Sequence, residues 1–222
     1  MTNSSFPADL RHPTDESQLA KWQLSQFLVE LTPNLALIKK YSIMETIRTV
    51  EQLVNALNNC VESGNHVLDV MTNVEIPREE FEKYYSWSDE KQARNVLARN
   101  DDFEVLLVCW EKGQSSPIHD FNAQEAWIHP IEGMLREERF KINVDDDRLE
   151  KVSNMLLGND EFSYMNQIGI HRYSNANKAR SVSLNIYRKP VAEWHVYDEG
   201  SSSSTMMETW ENKNYNLLRQ EA

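Results

Sequence analysis

Two periodicities divide the chain. Up to about residue 90, apolar positions recur at helical spacing; from Arg94 onward they alternate or run continuously, as in strands. Leu19, Trp22, Phe27, Leu28 and Leu31 stand among polar residues over 17–31, which predicts an amphipathic helix stopped by Pro33. Between Ser42 and Ser63, Ile47, Val50, Leu53, Val54, Leu57 and Cys60 repeat the helical spacing. Ser42 with Glu45 three residues on fits a capping box at its start, and Gly64 can end it. Pro77 opens a further short helix through Trp87, with Phe81, Tyr84 and Tyr85 as its apolar residues. The polar residues 1–15, with two prolines, are expected to be loosely ordered.

The second pattern predicts strands at 94–98, 103–110, 116–121, 125–131, 134–142, 161–165, 168–173 and 180–188. The acidic run Asp145-Asp146-Asp147 reads as a loop. Leu149–Leu157, followed by Gly158-Asn159-Asp160, then suggests a hairpin and turn. Short strands separated by turn signals imply a mainly β fold, a small barrel or sandwich. Residues 199–205, Glu-Gly-Ser-Ser-Ser-Ser-Thr, have linker composition. Met206 to Gln220 is expected to form a last helix on Met207, Trp210, Leu217 and Leu218. The expected organisation is a helical cap over 1–90, a β-barrel over 91–198, and a linker with a helix over 199–222.

Composition narrows this picture only modestly. An apolar fraction of 40% and six tryptophans suffice for a buried core. No run approaches a membrane span, and Met1 to Glu16 lack a signal-peptide core, so a cytoplasmic protein is the expectation. Cys60 and Cys109 fall on a helix and a buried strand, where a disulfide is not expected. A net charge of −12 disfavours nucleic acid and anionic membranes as partners and reads as a solvated acidic surface. A monomer is expected.

The chemistry gathers in two segments. Ser115-Ser116-Pro117-Ile118-His119-Asp120-Phe121 follows the apolar run Val105–Trp110, and Ile168-Gly169-Ile170-His171-Arg172-Tyr173 lies about fifty residues later. Two strand-borne imidazoles suit a mononuclear site for Fe, Zn, Ni or Cu. The first segment resembles the first metal motif of a cupin. There two histidines two apart face one side of a strand, a carboxylate follows a short turn, and a glycine closes the next strand. His119 fills the first position, Phe121 the second, Glu125 the carboxylate's range and Gly133 the closing glycine.

The likeness narrows further, to thiol dioxygenases of the cysteine dioxygenase type. Cys109-Trp110-x-x-Gly113-x-Ser115-Ser116-x-Ile118-His119-Asp120 resembles that family's approach to its first histidine. Ile168-Gly169-Ile170-His171-Arg172 resembles the approach to its third, and Ser183-Leu184-Asn185-Ile186-Tyr187-x-x-Pro190 with His195 and Asp198 its closing strand. Arg94-Asn95 matches the arginine that holds the substrate carboxylate. The resemblance covers roughly residues 80 to 198. It implies a cupin-type β-barrel, Fe(II) with dioxygen as co-substrate, and a small amino acid or thiol as substrate. The implied metal ligands are His119, His171 and Glu125 or water; Arg94 and His195 would bind substrate, and Tyr187 would be catalytic.

Departures accompany the matches. The family's middle iron-binding histidine falls at Phe121, and its cysteine that cross-links to the tyrosine falls at Ala126. A histidine of the closing strand is Asn185, and a tyrosine two residues before the arginine is Gln92. Residue by residue, other readings stand beside the functional ones. His119 and His171 could be structural, Arg94 a surface arginine, Tyr187 a core phenol, and His195 a satisfied structural histidine. Gly133 spacing favours Ala126 over Glu125 as the inward residue, so Glu125 would need a bulge to reach a metal. His129 shares the face of Glu125 and Trp127 and reads as packing or surface.

Three functions are open to this set of residues. One is an iron oxygenase of a small amino acid or thiol. Another is a metalloenzyme on the same barrel that uses the vacated ligand position for a different reaction. The third is a non-catalytic relative in which Phe121 fills the metal pocket and the protein binds a small acid or a partner.

Overall fold

The computed structural model describes residues 45–121, 125–166 and 169–208. The expected helix over 17–31 lies outside them. The chain divides into two compact units after Glu45, and the described helices and strands all belong to the second, which begins at Thr46.

Three helices precede the strands: α1 (Val50–Ser63), α2 (Val67–Met71) and α3 (Arg78–Glu82). The long helix starts later than its apolar spacing suggested. Thr49 caps it, accepting a hydrogen bond from the Gln52 amide while the Gln52 side chain accepts one from the Thr49 amide. That closed capping box fixes the first turn. Ile47, upstream, is instead engaged in a bridge to Val74. Val50, Leu53, Leu57 and Cys60 form the buried stripe, and Gly64 ends the helix in the left-handed region at φ 66°. The third helix begins after Pro77 as expected but stops at Glu82.

Eleven strands come next among the described residues: β1 (Ala93–Arg99), β2 (Phe103–Trp110), β3 (Ile118–His119), β4 (Glu125–Glu132), β5 (Leu135–Asn143), β6 (Arg148–Leu157), β7 (Ser163–Asn166), β8 (Ile170–Asn175), β9 (Ser181–Arg188), β10 (Glu193–Tyr197) and β11 (Ser204–Glu208). They form two antiparallel sheets, ordered β1-β2-β9-β4-β7 and β11-β10-β3-β8-β5-β6. This is the cupin-type barrel expected from the sequence. β2 is buried along its whole length, which explains its continuous apolar run. One face of the first sheet contributes Leu106, Val108 and Trp110 from β2, Ala126 and Ile128 from β4, and Tyr187 from β9 to the core. Leu135 and Tyr173 meet them from the second sheet.

Helices and sheet are tied by polar contacts. Asn100 donates to Asn58 at 3.1 Å, and Arg78 and Tyr85 both reach Glu132, at 3.2 and 3.4 Å. At the β4–β5 turn, Gly133 adopts φ 76°, and a Cβ there would lie 2.3 Å from Ser181 Oγ. Only glycine satisfies both conditions.

The C-terminal expectation needs correcting. Residues 198–203 make a compact turn, with Asp198 donating to Ser203 O and Ser201 to Asp198 O. Met206–Glu208 then belong to β11, paired with β10 over five residues, and not to a helix. The unfilled backbone groups on the free edge of β10 supply the reason, since a ladder satisfies them where a helix would not. The rest of the expected helix lies outside the described residues. Cys60 and Cys109 are free and buried. No described helix is long and apolar enough to cross a membrane.

Candidate functional site

β3 and β8 meet at a single residue pair, and that pair is His119 and His171. Their ring centroids are 4.4 Å apart. Each Nδ1 faces a main-chain carbonyl two residues earlier, Pro117 O at 2.9 Å and Gly169 O at 2.7 Å. A carbonyl can only accept, so each Nδ1 carries the hydrogen and each Nε2 keeps its lone pair. Burial pulls His119 down to about 4. It pulls His171 well below the ordinary imidazole value, assisted by His119 and Arg139. Both rings are therefore neutral near pH 7, in the tautomer that offers nitrogen to a metal.

Phe121 completes the cluster with carbon. Its ring lies 5.0 Å from that of His171, 6.4 Å from His119 and 5.2 Å from Tyr187. Among the described residues no group of three histidine, cysteine or carboxylate side chains converges as a metal site.

Glu125 is not brought to the imidazoles. Ala126 sits opposite Tyr187 in the inner core, so the pleat turns Glu125 to the other face. There it accepts from Tyr164 OH at 3.0 Å and lies 3.7 Å from Arg188. No bulge at this point of β4 re-aims it; the irregularity of that strand comes later, between Pro130 and Glu132. His129 pairs with Asn159 O at 2.6 Å, away from the cluster.

His195 is likewise placed elsewhere. Its neighbours Trp194 and Val196 line a cavity, whereas its own ring meets Asp120 Oδ1 at 3.1 Å on the opposite face. Asp120 also accepts from the His195 amide and from Tyr197 OH, both at 2.8 Å. This carboxylate fastens β10 to the end of β3, and His195 is one of its anchors.

Tyr187 is held from below by a chain of buried groups. Trp110 donates to Ser183 at 3.3 Å, Ser183 to Asn185 at 2.8 Å, and Asn185 to the Tyr187 oxygen at 3.3 Å. The phenol oxygen accepts in that chain, which leaves its hydrogen free to be donated. Burial raises its pKa, so the hydroxyl stays protonated at neutral pH.

Arg94 stands opposite Val108 on β1 and shares that residue's inward face. Its guanidinium lies 5.8 Å from the Trp194 ring and, among the described residues, forms no ion pair. It lines a cavity of about 720 Å³ whose walls include Val96, Glu104, Leu106, Trp194 and Val196. Val196 is the strand partner of His119, so cavity and imidazoles share a wall. The positive charge of Arg94 is felt at both His119 and Tyr187, lowering the pKa of each.

Glu104 was missed by sequence reasoning. It is 4% exposed, opposite Tyr187 in the β2–β9 register, and its Oε2 has no hydrogen-bond partner among the described residues. The available signal was a carboxylate at an inward position, two and four residues before Leu106 and Val108, inside an apolar run. A second buried carboxylate, Glu137, is fully paired. It accepts from Arg139, Ser163 and Tyr173 at 2.8–2.9 Å, and Arg139 also reaches Tyr164 O, joining the two sheets beside His171.

The chain is similar in sequence to proteins of a known family. The family profile for cysteine dioxygenase type I matches residues 34–200. Cysteine dioxygenase type 1 of Bos taurus is 27% identical over 166 residues, covering 73% of this chain and 82% of the relative. The Homo sapiens protein of that name is 26% identical over the same shares. A Klebsiella pneumoniae protein with a double-stranded β-helix domain aligns at 12% identity and TM-score 0.44, over 53% of this chain and 88% of that one. With the profile spanning most of the chain, this protein belongs to the cysteine dioxygenase type I family.

Proposed function

We propose that the protein is a thiol-dioxygenase-like oxidoreductase acting on a small amino acid or thiol, with iron held by Nε2 of His119 and His171. The observation that carries this reading is the matched pair of neutral imidazoles, each with Nδ1 committed to a carbonyl. Structural histidines have no need of that shared tautomer, and metal ligands do. Iron(II) would supply the redox chemistry of thiol oxidation. The chain's own residues have separable tasks. Arg94 takes the substrate carboxylate as a bidentate donor. The Tyr187 hydroxyl donates its hydrogen to the reacting region. Phe121 excludes water from beside the imidazoles and leaves more of the metal's coordination to small molecules.

Metal analysis of protein purified without a chelating tag tests the reading, together with oxygen uptake and sulfinate formation on cysteine. Near-stoichiometric iron with sulfinate supports it. Iron with oxygen uptake but a different product assigns a changed reaction on the same barrel. Phe121→His is expected to raise iron occupancy and cysteine oxidation together.

One observation favours a second reading. The Phe121 ring packs edge-on against His171 and Tyr187, as an apolar plug would. If no transition metal binds under any supplementation, the protein is a non-catalytic binder of small acids through Arg94.

A further inference from the structure

The cavity beside Arg94 contains a second ionisable group that is only partly paired. Glu104 lines it and is almost wholly buried, yet its Oε2 lacks a partner among the described residues. Its other oxygen is served by the Val191 amide and by a loose 3.8 Å contact with Arg99 near the rim. Buried carboxylate oxygens are rarely left unpaired, because desolvation is then uncompensated. Arg94 does not pair with it: the two are beyond ion-pair contact, although Arg94 is the stronger of the two guanidinium influences on Glu104. Both project from the same face of the β1–β2 pair, with Val96 and Leu106 forming an apolar floor between them. Two groups of opposite charge therefore line one cavity without pairing with each other.

We infer that Glu104 and Arg94 form a subsite for the zwitterionic head of an α-amino acid, Arg94 taking the carboxylate and Glu104 the ammonium. This rests on the reading that Arg94 holds a carboxylate, and it narrows the substrate class from acids in general to amino acids. A neutral or acidic head group would leave Glu104 unpaired beside it, so the site discriminates by that cost as well as by attraction. The amine is then held by the protein, which leaves a thiol as the group directed towards the imidazoles.

Anaerobic calorimetric titration of the full chain with cysteine and with 3-mercaptopropionate, which lacks only the amine, tests the subsite. Wild-type protein is expected to bind cysteine about 10- to 100-fold more tightly, the worth of one charge-assisted bond. In Glu104→Gln that ratio should fall to within about threefold. A wild-type ratio near one, or a cysteine preference that survives in Glu104→Gln, overturns the inference. Arg94→Ala separates this from the parent reading. If both acids bind and both are lost in Arg94→Ala, the carboxylate reading stands whatever the ratio. If neither binds wild-type protein, or both bind Arg94→Ala undiminished, that reading falls and takes the subsite with it. Should Glu104→Gln fail to fold, the wild-type ratio and Glu104→Asn decide.

Discussion

At the proposed subsite, Glu104 would set stability against recognition within one side chain. Burial raises its pKa above the usual carboxylate value, so the folded chain holds this proton more tightly than the unfolded chain does. The stability linked to it is complete below the ordinary carboxylate range and is lost as pH rises through the raised value. Glu104→Gln should therefore raise the melting temperature of ligand-free protein at pH 7, by about 2–4 °C for each kcal/mol recovered. Near pH 4 the variant and wild type should melt together; equal melting at both values would show that the unpaired oxygen carries no penalty. At this scale the sequence was legible wherever flanking residues fixed the face of a strand. His119 and His171 could be read as neighbours, and Ala126 as the inward residue. Glu125 could not reach inward because a strand reverses its side chains at every step, and proximity along the chain does not change that. His195 belonged to a multi-residue match, yet its pleat turns it to Asp120.

Elements were legible where hydrophobic pattern alone decides them. Phe103–Trp110 was found to the residue, because a strand buried on both faces leaves a continuous apolar signature. The start of α1 was not, since its apolar spacing continues upstream of the Thr49 cap. β11 is misjudged as helix because the helical spacing of Met207, Trp210, Leu217 and Leu218 extends past it and the serine run hides the turn that folds it back on β10. Two predictions belong here. Gly133→Ala should cost about 1–3 kcal/mol in denaturant unfolding, through the positive φ and the Ser181 contact together. Gly113→Ala, at φ 78° with open space around it, should cost less. On the outer face of β5, Glu138 accepts from Arg172 at 2.6 Å and from Lys151, and the Arg172 bond holds its carboxyl below the usual value. Its contribution is present above the ordinary carboxylate range and is lost as pH falls through the depressed value. Glu138→Gln should destabilise by about 1–2 kcal/mol at pH 7, an effect that fades on acidification.

For the molecule as a whole, the proposed metal and the fold would be coupled. Neutral imidazoles are set side by side only when β3 and β8 pair, so an ion bound there stabilises the native state by mass action. Iron(II) at about 100 times its dissociation constant should add about 2.7 kcal/mol. A chelator should reverse the rise in melting temperature, and His171→Ala should abolish it. An unchanged melting curve across a full iron titration would count against a metal at this pair. The fold class was legible at this scale because the strand pattern and ordered motifs agree over most of the chain. The cavity was not, for it depends on how two sheets meet, which no periodicity records.

The turn and strand after Asp198 bear on how the protein should be handled. β10 is joined to β3 through two residue pairs but to β11 through five, and β10 carries the tryptophan that faces Arg94. A shortened version ending before Ser204, made to shed an unpromising serine tract, would remove the larger part of that strand's support. The guanidinium pocket would lose its far wall, and a failure of the truncated protein to bind or react would say nothing about the full chain.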